Sequence, residues 1–245
     1  MTPQYLVPEW PAPPCVRALQ TTRLGGVSAP PYDTLNLGTH VGDEPLAVAA
    51  NRNRLQGLVP GEPVWLEQVH GTAVVSAETA GCLPVADACV TRRAGAVCVV
   101  MTADCLPVLL CDRQGRVVGA VHAGWRGLAD GVIEAAVAAM DAPALDILAW
   151  LGPAIGPDAF EVGPEVREVF LKHDVAAAAA FIPRNGKFLA DLYLLATQRL
   201  HALGITRIYG GGFCTYRDAG RFFSYRRDGP TGRMASLIWI APQGS

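Results

Sequence analysis

Two histidines and a cysteine, His70, Cys105 and His122, are the residues best suited to chemistry in a chain otherwise dominated by apolar side chains. Two imidazoles and a thiolate make a good ligand set for Zn²⁺. Three protein ligands leave the fourth tetrahedral position open to water or substrate, as a catalytic zinc requires. The same set can hold copper. The intervals are long, 34 residues between the first pair and 16 between the second, so spacing alone is weak support. Plainer readings exist too: a His before Gly caps a turn, and a Cys in an apolar run is a buried thiol. A second chemical reading is a Cys–His hydrolase, with Cys105 as nucleophile and His122 or His70 as base. A thiol buried beside Asp104 should have its pKa raised, which counts against that reading unless a cation intervenes.

The three residues share a setting. His70 follows the β-prone run Val64–Leu66, Cys105 follows the apolar run Ala96–Thr102, and His122 ends the run Arg116–Val121. Each therefore stands where a buried strand gives way to a loop, a common place for sites on rigid scaffolds. Further strands are expected at Arg17–Leu24, Ala73–Ala77, Ala86–Thr91, Pro107–Cys111, Leu145–Leu151, Ile205–Tyr209 and Ala235–Ile240. The turn at Asp112–Gly115 should join Pro107–Cys111 and Arg116–Val121 as a hairpin. Helical spacing runs over Glu44–Leu58, Leu128–Met140 and Pro164–His173, and over Asp191–Leu203, capped by Asp191 and ended by Gly204. Ala176–Ala180 reads as a helix-prone surface stretch. Strands both in hairpins and around helices predict an α/β (α+β) fold, a single domain of residues 1–245 with one mixed, largely buried β-sheet flanked by helices.

Composition narrows the function classes. With 20 basic and 22 acidic residues and no Lys/Arg stripe, nucleic acid is not expected as a partner. The seven cysteines are odd in number and include no CxxC pair, which suits a reducing compartment. Met1 to Trp10 lacks the pattern of a secretory leader, and the most apolar stretch, Ala94 to Cys111, is interrupted by Asp104 and Pro107. A soluble, cytoplasmic protein without a membrane partner is expected, as a monomer or small homo-oligomer.

Several segments together resemble the signatures of one family. They are Gln68-Val-His70-Gly, Thr102-Ala-Asp-Cys105 and Val121-His122-Ala-Gly-Trp-Arg-Gly127. Thr22-Arg-Leu-Gly-Gly-Val-Ser28, Asn36-Leu-Gly38 with His40-Val-Gly-Asp43, and Leu151-Gly-Pro-Ala-Ile-Gly156 also match. So does Phe223-Ser-Tyr-Arg-Arg-Asp228 with Thr231-Gly-Arg233. The resemblance runs from about Thr21 to Ile240 and is to the polyphenol oxidase (laccase-domain) proteins, also known as purine nucleoside phosphorylases and as peptidoglycan editing factor. It implies an α/β domain and zinc on His70, Cys105 and His122. It also implies phosphorolysis of purine nucleosides (adenosine, inosine, guanosine, methylthioadenosine) with adenosine deamination beside it.

The family's activities make different demands. A laccase with blue and trinuclear copper uses roughly ten histidines. This chain has five, His40, His70, His122, His173 and His201, and the last two fall on expected surface helices. Single-copper redox activity remains possible. Phosphorolysis needs a phosphate site, for which arginine is suited; Arg23, Arg126 and Arg226, each inside a matching motif, are the candidates. Asn36, His40 and Asp43 lie in a polar loop that could contact ribose hydroxyls, although Asn and Asp also favour turns for their own reasons. Asp104 could orient a metal ligand or protonate the purine, and a metal-activated water would account for deamination. The expectation is a zinc-dependent purine nucleoside phosphorylase. The alternatives are a peptidoglycan-precursor editing hydrolase, a copper-dependent polyphenol oxidoreductase and a metal-stabilised binding protein.

Overall fold

Strands that are apolar on both faces need cover on both faces, and the architecture follows from that demand. The computed structural model describes residues 5–242; the first four residues of the stretch inspected for a leader lie outside that range. In chain order the elements begin with β1 (Tyr5–Leu6), β2 (Val16–Thr21), α1 (Pro45–Asn53), β3 (Pro63–Val64), β4 (Val74–Ser76) and β5 (Ala88–Thr91). The centre comprises β6 (Val97–Thr102), β7 (Leu106–Asp112), β8 (Val118–Ala123), α2 (Trp125–Asp130), α3 (Val132–Met140) and β9 (Ile147–Leu151). Then come β10 (Glu161–Val162), α4 (Pro164–His173), β11 (Phe181–Arg184), β12 (Lys187–Ala190), α5 (Leu192–Ala202), β13 (Arg207–Gly210), α6 (Tyr225–Asp228) and β14 (Met234–Ile240).

The expected single sheet is two larger sheets and a small one. The first runs β1-β2-β14-β6-β3 and the second β13-β9-β7-β8-β5-β4, while β10, β12 and β11 form a three-stranded flap. Both larger sheets are mixed: β3 pairs with β6, β4 with β5 and β13 with β9 in parallel, and the remaining pairs are antiparallel. The β7–β8 hairpin forms as its turn residues predict.

The two sheets lie face to face. Cys98, Val100 and Ile238 of the first interdigitate with Cys89, Leu109, Ala120 and Trp150 of the second. The outer face of the second sheet packs on helices α2–α5 through Leu128, Ile133, Phe170 and Leu195. That of the first packs on Leu35, Leu37 and Leu55. This layering explains why the central strands read as continuous apolar runs: alternation vanishes when neither face meets water.

Three expectations change locally. The helix expected over Leu128–Met140 is α2 and α3, split at Gly131, whose φ of 98° ends one helix and begins the other. The expected helix Glu44–Leu58 stops at Asn53 and runs out in turns, with Gly57 at a φ of 86°. Ala176–Ala180 is part of a 3₁₀ helix at the surface that exposes Ala176 and Ala179 but buries Ala177 and Ala180. Among the described residues no helix is long and apolar enough to cross a membrane.

Candidate metal centre

The site forms where the chain leaves one sheet for the other. β6 ends at Thr102 in the first sheet, and after Ala103, Asp104 and Cys105 the chain enters β7 in the second. Asp104 makes this turn with a φ of 92°, a region sparsely populated by non-glycine residues. The crossing sets Cys105 beside the end of β8, which carries His122. His70 arrives on a loop fastened to β6. The Gln68 side chain acts as a rung of the sheet, its Nε2 donating to the Met101 carbonyl at 2.8 Å and its Oε1 accepting from the Met101 amide at 2.7 Å.

One carboxylate organises the group. Asp87, fully buried just before β5, accepts hydrogen bonds from the successive amides of Val69, His70 and Gly71 at 3.2, 2.9 and 2.7 Å. The same carboxylate pairs with His122 Nδ1 at 2.8 Å. Those amides hold His70 at a left-handed φ of 62°, and the imidazole bond turns Nε2 of His122 outward. Burial alone would raise the Asp87 pKa; the His122 ring and the Gly71 and His70 amides outweigh burial and lower it.

The three ligand atoms of His70, Cys105 and His122 lie within 4.8 Å of one another, and Cys105 Sγ is 3.7 Å from His70 Nε2. Zinc bonds of ~2.3 Å to sulfur and ~2.0–2.1 Å to nitrogen at tetrahedral angles put ligand atoms about 3.3–3.6 Å apart, so the donors fit such an ion after a small contraction. Gly124 makes room for them: a Cβ there would come within 2.7 Å of the His70 ring and 3.1 Å of Cys105 Sγ. Burial pushes the Cys105 thiol up, but His122 and then His70 outweigh it and bring the pKa down to about 6. In the same way burial would lower His122, and Cys105 with Asp87 raises it to about 9. The upward shift expected of Cys105 is thus corrected: the contacts with His122 first and then His70 outweigh burial.

The open side of the group faces a cavity of about 400 Å³. Besides the three ligands and the end of β6, its walls are Gln68, His40, Tyr225 and Arg233. Burial, and then the Arg233 and Arg52 guanidiniums, lower the His40 pKa.

Of the six residues expected at substrate, only His40 lines this cavity. Arg23 is tied to Asp33 at 3.2 Å and lies over the Phe223 ring. Arg126 is exposed and stacks on Trp125, 4.4 Å from the ring centroid. Arg226 gives its guanidinium to the Glu161 carbonyl at 2.7 Å. Asn36 and Asp43 brace the loop that carries His40: Asn36 Nδ2 donates to Asp43 Oδ2 at 2.9 Å, and Asn36 Oδ1 accepts from the Gly38 amide at 2.9 Å. Asp104, expected at the metal or the purine, turns away from the cavity. It accepts from Thr215 Oγ1 and from the Arg226 amide, both at 2.6 Å, and so pins the sheet crossing to α6. His173 and His201 end α4 and α5, outside the cavity lining.

Residues 17–241 match the family described as multi-copper polyphenol oxidoreductase laccase. The chain belongs to that family. Among its relatives, purine nucleoside phosphorylase YfiH of Escherichia coli is 56% identical over 240 residues, 97% of this chain and 99% of that one. A purine nucleoside phosphorylase of Pseudomonas aeruginosa is 55% identical over 238 residues, covering 96% and 98%. A crystal structure of a Neisseria meningitidis protein superposes with a TM-score of 0.96 at 53% identity, covering 98% of this chain and 100% of that one. YlmD of Geobacillus stearothermophilus gives 0.86 at 30%, covering 99% and 98%. Members of this family are called laccases, yet the cavity here is lined by three histidines and one cysteine, too few for a multicopper cluster.

Four residues that shape the site went unassigned in the sequence: Asp87, Gln68, Tyr225 and Arg233. Asp87 carried a signal, a lone carboxylate inside the apolar run Ala86–Thr91. Arg233 directly precedes the wholly buried strand β14, where a charge needs a reason.

Proposed function

We propose that this protein is a zinc-dependent purine nucleoside phosphorylase acting on adenosine, and on inosine, guanosine and methylthioadenosine, with adenosine deamination as a side activity. The observation that carries this reading is a His₂Cys group whose open side faces a cavity of about 400 Å³, within the ~300–1,000 Å³ range of small-ligand pockets. The names and near-complete coverage of the relatives support the substrate class.

In phosphorolysis a phosphate oxygen bonds to C1′ of the ribose as the glycosidic C–N bond breaks. The bonding pair leaves with the purine nitrogen, which takes up a proton. His70, Cys105 and His122 would hold the zinc, which when bound supplies positive charge and Lewis acidity to oxygen ligands. His40, kept largely neutral by its surroundings, stands where it can accept or donate a hydrogen bond to the nucleoside. The Tyr225 ring at the cavity mouth offers a face for the purine. Asp87 acts through His122 and the His70 backbone, holding the ligands in place.

The test is adenosine turnover by zinc-loaded protein with and without phosphate, separating adenine, inosine and ribose 1-phosphate by chromatography. Adenine and ribose 1-phosphate formed only with phosphate support the phosphorylase. Inosine alone reduces the activity to deamination. No product in either condition refutes the reading. A second reading is a Cys–His hydrolase, such as an editor of peptidoglycan precursors. It is favoured by the order Asp87–His122–Cys105, which places a carboxylate, an imidazole and a lowered thiol in line. Such a hydrolase would work without zinc and be inactivated by alkylation of Cys105.

A further inference from the structure

Arg233 is a cation on the cavity wall with no ion-pair partner among the described residues. Arg233 lies on the wall with His40, within the cavity shared by the His₂Cys group. No carboxylate is among the residues lining that cavity, and among the described residues none makes an ion pair with Arg233. The neighbouring arginines of the same sequence motifs differ: Arg23 is paired with Asp33, Arg227 with Asp228, and Arg226 is given to a carbonyl.

Arg233 is also held in one pose. Its amide donates to Asn36 Oδ1 at 2.9 Å, and its Nη1 donates to the carbonyls of Thr231 and Gly232 at 2.9 and 3.1 Å. Its stem lies under Gly38, where a Cβ would come within 2.8 Å of Arg233 Cγ. Nε and Nη2, one edge of the guanidinium fork, have no acceptor among the described residues. The same corner is short of acceptors elsewhere. Thr102 Oγ1, on the strand residue paired with Met234, and Thr231 Oγ1 are buried hydroxyls with no hydrogen-bond partner among the described residues. Burial lowers the Arg233 pKa even though Cys105 and Asp104 act against it from a distance, so a guanidinium with no ion pair is costly here, and a fixed fork of two N–H groups matches two oxygens of a tetrahedral oxyanion.

We infer that Arg233 is the oxyanion-binding residue of this cavity and receives inorganic phosphate through Nε and Nη2, with Asn36 and Gly38 fixing its pose. The inference deepens the phosphorylase reading, since it says where that reaction's second substrate binds. It replaces Arg23, Arg126 and Arg226 in that role.

The test uses zinc-loaded wild type, Arg233→Gln and Arg233→Lys, with phosphate binding followed by ³¹P NMR and turnover by phosphate and adenosine KM. Losing a charge-assisted bidentate contact should weaken phosphate binding and raise phosphate KM by about ten- to hundredfold in Arg233→Gln. Zinc content should stay at the wild-type level and adenosine KM within about threefold. Arg233→Lys keeps the charge without the fork and should recover part of the loss; it decides the matter if Arg233→Gln fails to fold. Phosphate binding by wild type that is lost in the variants, in a protein that turns over no nucleoside, supports the inference and refutes the phosphorylase. Phosphate-dependent turnover with wild-type phosphate KM in the variants overturns the inference and leaves the phosphorylase standing. Absence of phosphate binding by wild type at millimolar concentration also overturns it.

Discussion

Around the His70–Cys105–His122 group, the polar groups answer one another: Asp87 takes three amides and an imidazole, and Gln68 closes two hydrogen bonds on Met101 of β6. On the opposite side, His40 and Arg233 are braced from behind by Asn36 and present their remaining donors to the cavity. In the reading proposed above, the first wall holds the metal ligands and the second receives the substrate. A site that must keep a metal while exchanging substrates needs both kinds of wall, because preorganised ligands hold the ion and unsatisfied donors give differential binding to the substrate.

The comparison breaks most sharply at Cys105. Cys105→Ala removes the one thiolate of the holder and should abolish most zinc binding, with kcat/KM falling by more than about a hundredfold while the domain stays folded. Elemental analysis and circular dichroism check both halves; full zinc with unchanged turnover would dismantle the proposed site.

Asp87→Asn tests whether the holder depends on its carboxylate. Zinc affinity, read by chelator competition, should weaken by about 10–100-fold, with a loss of about 1–3 kcal/mol in urea denaturation. Phosphate KM in zinc-saturated protein should move little. A change in phosphate KM as large as the change in zinc affinity would mean that the two walls are not separable.

Asn36→Ala is the matching probe of the receptor wall. Without its Oδ1 the Arg233 amide and the Gly38 turn lose a common acceptor, and phosphate KM should rise about three- to tenfold at constant zinc content. Zinc loss without a phosphate effect would assign Asn36 to the holder instead.

The smallest effect is expected at Glu78, which clasps β4 to β5 by accepting from Ser76, Thr91 and the Arg92 amide. Burial alone would raise its pKa, but those hydrogen bonds bring it down to about 2. A carboxyl lowered on folding stabilises the folded state above its unfolded pKa near 4.5, and that stability is lost as pH falls through about 2. Denaturation midpoints of wild type and Glu78→Gln should therefore converge between those values. Parallel pH dependence of the two proteins would remove Glu78 from the clasp, and no change in zinc affinity is expected at neutral pH.

Much of this architecture can be read from the chain because its cause is local. Apolar runs such as Val97–Thr102 and Leu106–Asp112 declare buried strands, the Asp112–Gly115 turn declares a hairpin, and Asp191 declares a helix start by accepting from the Leu194 amide. The ligand types of His70, Cys105 and His122 are likewise a property of the residues themselves, and the tertiary structure brings them together. What the chain does not declare is which polar group serves which neighbour. Asp104 and Asp87 are both acidic residues beside apolar runs, yet only Asp87, 35 positions from His122, meets the imidazole, while Asp104 meets Thr215 and the Arg226 amide, 111 and 122 positions away. Five arginines stood in matching motifs, and four of them, Arg23, Arg126, Arg226 and Arg227, found partners elsewhere. Arg233 lines the cavity, and its backbone amide is held by Asn36 Oδ1, 197 positions distant. Local propensity acts over a few residues, and the pairing of buried charges is decided by how two sheets pack face to face. The sequence by itself therefore determined the buried strands and the ligand types, whereas only the packing of two sheets decided the layers, which carboxylate meets the His122 imidazole and which arginine is left without an ion pair.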